Sequence, residues 1–430
     1  MTNESFPASA ALAAKAICNL IIGDIREAHV LVTGYTGSIA HSGRALYVAE
    51  ALSSLGVRVT KAGDFNQPYS KSILNIDPGW DAPYLDQGHV NAYAQRHCSW
   101  GFYDKNTLMS HVMTWRKLIK KEPFDIVVGD FAIPAIIAAE SLGIRTVTIQ
   151  NALWTSAFRY RLMPPEDHVI QRTFAKLGLA AFTRKLSSRF GATNIIYAIY
   201  QRHWSRPYNS VRRSLGLKTR NTYYAHTEGQ LAIIPDLPQI WGRYGESSSK
   251  KYIAVGPIIW EPKKSDQPGS SSIQAMIESG RPFIYATLGS SGTRETFDLL
   301  FEAFRQRHDG LALALTTGEQ FTGWEGWNRK PENVFMDSYF PGRLALGTQG
   351  CVGAINHGGS GSAYQALLTP PAKPMIMIPT HAEQQWNAEI LEGMGFGLVM
   401  KKNKLSPRCL NDAIDHVLTL RPTINPSAWV

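Results

Sequence analysis

The residues whose types and spacing are best suited to chemistry lie between Ile355 and Glu389, INHGGSGSAYQALLTPPAKPMIMIPTHAEQQWNAE. An apolar run, CVGAIN, ends at His357, and Gly358, Gly359, Ser360, Gly361 and Ser362 follow before a helical pattern begins. Glycine has no Cβ to hold a ligand off the backbone. The first turn of a helix leaves N–H groups unpaired at the positive end of its dipole. Together these make an anion site, with a diphosphate as its natural guest. Standing alone, the glycines have the alternative reading of a tight strand–helix turn with no ligand. A second apolar run, PMIMIP, ends at Pro379, and THAEQQWN follows on the same sheet edge. There Glu383 and Gln384 are suited to accept and donate hydrogen bonds to vicinal hydroxyls. A phosphate site beside a hydroxyl-binding pair describes a nucleotide sugar.

Such loops need strands to carry them. HVLVTG, VRVTKAG, DIVVGD and RTVTIQ read as strands, alternating with the helical patterns RALYVAEALSSLG, HVMTWRKLIKKEP and AIIAAESLG. A second alternating series runs from FIYATLG to PRCLNDAIDHVLTL. This predicts two parallel α/β sheets in tandem, with ligands outside the carboxyl ends of the strands. A chain of 430 residues exceeds the roughly 250–300 at which single cores stop growing. KYIAVGPIIWEPKKSDQPGSSS reads as the connection, placing an N-terminal domain at 1–256, a linker at 257–280 and a C-terminal domain at 281–430. Residues 65–105, weakly periodic and rich in turn formers, are expected to form long loops lining a cleft.

Hydrophobic residues make up 44% of the chain, as in ordinary globular proteins, and no apolar run is long enough to span a bilayer. ASAALAAKAICNLIIGD carries Lys15 within it and reads as a helix, not a signal peptide. Cys18, Cys98, Cys351 and Cys409 are scattered, which argues against a zinc site or disulfide framework and suits a reducing cytosol. The net charge of +10 is concentrated: between Arg159 and Arg220, thirteen Lys and Arg face only Glu166 and Asp167, a net +11. These cations read either as solvated helix faces or as attraction to an anionic membrane or acceptor. Nucleic acid is disfavoured, because no recognition motif accompanies the charge. Trp154, Phe158 and Tyr160, after a strand end, are suited to pack on an apolar acceptor, or equally to pack beneath a loop.

The order HGG…S…QAL…P…P…EQ…NA resembles the donor-site signature of the GT-B glycosyltransferases of the UDP-glycosyltransferase superfamily, family 1. YATLGSSG, VFMDSYFPG and YIAVGPIIW resemble further segments of that family, so the likeness spans most of the chain. It implies a GT-B fold, two Rossmann-like doubly wound domains facing a central cleft. It implies that His357 and the backbone and hydroxyls around Gly359, Gly361 and Ser362 hold the diphosphate, with Ser290 and Ser291 lining the phosphate side. Gln365 would face the ribose, Tyr339 would pack on the base, and Glu383 and Gln384 would hold the sugar. Many members have Glu where this chain has Gln365, which leaves UDP and TDP both open.

GYTGSIAHSGRALYVAEALSSLGVRVT resembles the family's catalytic loop and helix, matched in spacing more than in letters. It places His41 at the catalytic histidine, with Ala40 for the usual Gly and Arg44 for the usual Pro. Asp130, closing DIVVGD, falls at the place of the acid partner. The chemistry needs such a pair. A histidine takes the proton of an attacking hydroxyl, and a carboxylate on its other nitrogen fixes the tautomer. A helix N-cap is the plainer role for Asp130, while Asp125 begins the same strand at the wrong edge. The expected activity is inverting transfer of a hexose from a UDP- or TDP-sugar to a hydrophobic acceptor, without cofactor or metal; the chain has no DxD motif. The expected location is cytoplasmic, or peripheral on the inner membrane face. Rival readings are a nucleotide-sugar epimerase, a family 28-type transferase on a lipid-linked acceptor, and a non-catalytic helper of a partner transferase.

Overall fold

In a computed structural model of the chain, the structure describes residues 7–35, 39–63, 103–158, 176, 201–245, 249–261, 271–289, 292–318, 325–380, 382–401 and 404–420. The chain divides into two compact units, residues 1–260 with Val430, and residues 261–429.

The first unit is built on six parallel strands: β1 (His29–Gly34), β2 (Arg58–Ala62), β3 (Ile126–Asp130), β4 (Arg145–Ile149), β5 (Leu231–Ile234) and β6 (Tyr252–Ala254). Their order is β2-β1-β3-β4-β5-β6. Strands β1, β3 and β5 are buried along their whole length, as expected of strands covered on both faces, whereas the edge strands β2 and β6 are partly exposed. Winding reverses between β1 and β3, and in open sheets of this kind ligands bind in the crevice beyond the carboxyl ends at that point. The helix Ala8–Cys18 buries Ala10, Ala13, Ala14 and Ile17, a stripe at i, i+3, i+4 and i+7. These small side chains let it pack against the helix Ile39–Ser54. Asp104 caps Lys105–Ile119 by accepting from the N–H groups of Asn106 and Thr107, and Gly56, at φ +87°, closes the helix before β2. β6 lies inside the stretch expected to begin the connection between domains; it pairs with β5 and completes the sheet.

Two cations of the basic 159–220 stretch turn inward. Arg212 donates to Glu140 Oε2 at 2.6 Å, and Arg220 donates to Glu140 Oε1. These residues are internal counter-ions rather than part of a solvated or membrane-facing surface. Residues 159–175 and 177–200 lie outside the described part of the chain.

The second unit holds β7 (Phe283–Thr287), β8 (Ala312–Thr316), β9 (Val334–Asp337), β10 (Cys351–Asn356), β11 (Met375–Met377) and β12 (Gly397–Val399), all parallel, in the order β12-β11-β10-β7-β8-β9. Counted from β7 this is the 3-2-1-4-5-6 arrangement of dinucleotide-binding sheets, and its switch point lies between β7 and β10. One face is covered by Phe297, Leu300, Phe301 and Phe304 of the helix Arg294–Arg305, which pack with Ile284, Ala286, Leu313 and Leu315. The helix Ser272–Glu278, within the segment read as linker, is tied to β9: the Asp337 carboxylate accepts from the N–H groups of Ser272 at 3.1 Å and Ile273 at 2.9 Å. Among the described residues, no helix is long and apolar enough to cross a membrane.

Candidate active site

In the first unit, Asp130 ends β3 at the switch point and is fully buried. Gly34, which ends β1, is its register partner. A Cβ on Gly34 would stand 2.7 Å from the His41 carbonyl oxygen and 2.9 Å from Ala45 Cβ. Glycine is therefore what lets the helix Ile39–Ser54 pass this close to the strand end. That approach lays the first turns of the helix over Asp130. His41 Nδ1 comes within 2.6 Å of Asp130 Oδ1, and the imidazole stays 26% exposed. The pair expected from the sequence is thus assembled, and Asp130 is a partner of His41 and not the cap of the following helix, whose N-cap position is Ala132. Asp125 sits at the opposite edge, accepting from the His29 N–H at 2.8 Å.

Sequence reasoning treated Arg44 only as a departure from a motif. In the structure its side chain is buried and bridges the site. Nε donates to Asp130 Oδ2 at 2.8 Å and NH2 to Asp130 Oδ1 at 3.0 Å. NH1 donates to Asn151 Oδ1, just beyond β4. Phe131 was missed altogether. It adopts φ +54°, a conformation costing a non-glycine residue about 1 kcal/mol or more. Its ring stacks on His41, with centroids 5.3 Å apart and planes at 19°. Trp154 meets Phe131 edge-on at 5.6 Å, and Tyr35 meets both His41 and Phe131 at 6.0 Å. Of the expected acceptor residues, Trp154 belongs to this ring cluster and Phe158 is buried. Tyr160 lies outside the described residues. The available signal was the strand's last letter, Asp, followed at once by Phe at the sheet's carboxyl edge.

In the second unit, β10 delivers His357 to the switch point, and Gly359 is the N-cap of the helix Ser360–Leu368. Gly359 has no side chain with which to cap this helix, so its start presents backbone N–H groups beside His357. The His357 ring is wedged between backbones. A Cβ would lie 2.9 Å from its Cε1 at Gly289 and 2.3 Å from its Nε2 at Gly359. Nδ1 is buried with no hydrogen-bond partner among the described residues. Burial pushes the imidazole down to about 4, against a smaller opposite pull from the Thr287 carbonyl at the end of β7. Gln365 sits close to Gly342, where a Cβ would meet its Oε1 at 2.6 Å. Tyr339 is half-buried near Tyr285 and Glu261, and burial above all raises its phenol well beyond the usual value. Ser362 Oγ donates back to the Gly359 carbonyl, and Gly361 has open space around it. Gln384 is buried, its Oε1 accepting from Thr380 N at 3.0 Å and Thr380 Oγ1 at 2.9 Å, so it braces the loop after β11; Glu383 precedes it in the first turn. Ser290 and Ser291 lie outside the described residues.

No family model matches the chain. It is 26% identical over 404 residues to the PGL/p-HBAD biosynthesis glycosyltransferase of Mycobacterium tuberculosis, covering 92% of this chain and 86% of that one. It is 27% identical over 320 residues to the PGL/p-HBAD biosynthesis rhamnosyltransferase of Mycobacterium bovis, covering 74% of this chain and 65% of the relative. An inactive PGL/p-HBAD biosynthesis glycosyltransferase of Mycobacterium bovis is 26% identical over 296 residues, covering 66% of this chain and 73% of the relative. Among solved structures, the calicheamicin glycosyltransferase CalG4 superposes with a TM-score of 0.63 at 17% identity, over 92% of this chain and 90% of that one. The fold is GT-B.

Proposed function

We propose that this GT-B glycosyltransferase moves a hexose from a UDP- or TDP-sugar to a hydroxyl of a hydrophobic acceptor, inverting the anomeric centre and using no metal ion. The observation that carries the reading is the 2.6 Å contact between His41 and the buried Asp130 at a topological switch point. In this reading the acceptor hydroxyl approaches His41 from the side facing away from Asp130. As its oxygen forms the bond to the anomeric carbon, its proton passes to His41 Nε2 and the bond to the nucleoside diphosphate breaks. Asp130 stabilises the imidazolium that results. Negative charge on the departing diphosphate is met by the N–H groups opening the helix Ser360–Leu368, which do the work of a cation. Trp154 and Phe131 give an apolar acceptor an aromatic wall beside His41. The relatives' names support sugar transfer, and one of them is a rhamnosyltransferase, so deoxyhexoses fall within the donor class.

A second reading, a helper without catalysis, is favoured by one observation: a relative of similar identity is named inactive. A thermal-shift panel with UDP, TDP, GDP and their glucose conjugates, run on wild type and His357→Ala, separates the two. Stabilisation by one pyrimidine diphosphate, lost in the variant, supports the donor site. His41→Ala should then keep that stabilisation and lose transfer. No shift with any nucleotide at millimolar concentration would remove the transferase reading in favour of the helper.

A further inference from the structure

Arg44 is the group in the His41 site that no role yet explains. It is 5% exposed and carries three of the hydrogen bonds that hold the site together, two to Asp130 and one to Asn151. Its NH2 also stands 3.0 Å from His41 Nδ1. Only one of the two close approaches to Nδ1 can be a hydrogen bond. Were Nδ1 a bare lone pair receiving NH2, it would face a carboxylate oxygen at 2.6 Å, acceptor against acceptor. Were Nδ1 protonated, it would donate to Oδ1, and NH2 would be a second donor on the same oxygen at 3.0 Å. The second arrangement is the consistent one. Oδ1 then takes two donors and Oδ2 takes Arg44 Nε, so every short contact to the carboxylate is a donor contact.

We propose that Arg44 is a positioning residue that locks the Asp130 carboxylate in the plane that selects the Nδ1–H tautomer of His41, leaving Nε2 as the free lone pair. The proposal rests on the reading of His41 as the base. A guanidinium fork has the shape for such a lock. Nε and NH2 span both carboxylate oxygens while NH1 reaches Asn151, so one side chain ties the helix after β1 to the ends of β3 and β4. A carboxylate held by a single bond to His41 would be free to rotate about its Cβ–Cγ bond. Lysine offers one point charge and cannot fill three places. The strained Phe131 backbone serves the same end from the other side, its ring lying flat on the imidazole whose rotation Asp130 restrains.

The test uses full-length protein carrying 15N-histidine, with His41→Gln to assign the His41 signals. Long-range 15N–1H spectra report which ring nitrogen bears the proton. Wild type should show a protonated, strongly hydrogen-bonded Nδ1, and Arg44→Met a mixture of both tautomers. Release of nucleotide from UDP-glucose or TDP-glucose, with water as the acceptor, is followed in parallel. In Arg44→Met kcat should fall about 10²-fold, the loss typical of a misplaced catalytic group, with the donor KM within twofold. Arg44→Lys should not restore it. If Arg44→Met fails to fold, Arg44→Lys and Asn151→Ala are read in the same spectra, with a smaller tautomer shift expected. An unchanged His41 signature in these variants overturns the proposal. If wild type releases no nucleotide, it is the base reading that fails, and the spectra still decide the role of Arg44.

Discussion

Replacing Gly34 by alanine tests whether close backbone approach assembles the His41–Asp130 pair. The new methyl would sit 2.7 Å from the His41 carbonyl oxygen, where ordinary contact begins at 3.4 Å. Both neighbours are backbone or Cβ atoms of one helix and cannot rotate aside, so the helix must retreat by about 0.7 Å. Carried to the side chain, that retreat takes the 2.6 Å contact between Nδ1 and Oδ1 to roughly 3.3 Å, beyond the usual N–H···O range. Overpacking of this kind costs about 1–3 kcal/mol of stability, and a catalytic group misplaced by a comparable distance costs about 10²-fold in rate. The assay is nucleotide release from the donor, reported as kcat and KM, beside a urea melt. We expect kcat to fall by one to two orders of magnitude with the donor KM unchanged, because Gly34 belongs to the first unit and the residues proposed to hold the donor to the second. Gly242→Ala, where an added methyl meets nothing within 4 Å, is the control. A Gly34→Ala enzyme with wild-type kcat and an unshifted melt would show that this contact does not set the geometry of the pair.

Glu140→Gln should destabilise the first unit by about 3–5 kcal/mol, read as a lower urea midpoint, because it leaves Arg212 and Arg220 without their shared, largely buried counter-charge. Acid should weaken the fold through His226, which burial, with Arg212 and Arg220 nearby, pushes down to about 3. Between that value and about 6.5 the unfolded chain binds a proton that the native state does not. The contribution is therefore whole above pH 6.5 and falls with pH by up to about 1.4 kcal/mol per unit. His226→Phe, set beside the Tyr208 ring at 5.2 Å, should flatten the slope of urea midpoint against pH between 7 and 4. An equally steep slope in the variant would assign the acid sensitivity elsewhere.

Much of the architecture was legible because it rests on local signals. Apolar runs bounded by glycines marked the strands, and of ASAALAAKAICNLIIGD, read as a helix, Ala8–Cys18 is helical. The Gly-Ser turn after CVGAIN opens a helix at the carboxyl edge of its sheet, as its composition required. The strand Tyr252–Ala254, within the expected N-terminal domain, has no pattern of its own in the sequence, since it is short and partly exposed; pairing with β5 makes it a strand. The basic segment was read by charge alone, and charge along a chain does not say that Arg212 and Arg220 turn inward to one glutamate.

The sequence by itself determined most of the strands and helices, their alternation into parallel sheets, and the glycine-rich helix start that follows β10. Each depends on residues within a turn or two of one another. The company His41 keeps was decided only in three dimensions. Asp130 lies 89 residues from it and Asn151 lies 107 residues from Arg44, and they meet because β1 is placed beside β3 and β3 beside β4. Strand order is set by the packing of whole faces rather than by any local pattern, so Arg44, an anomaly in its motif, becomes the fork that holds the site once the sheet is assembled.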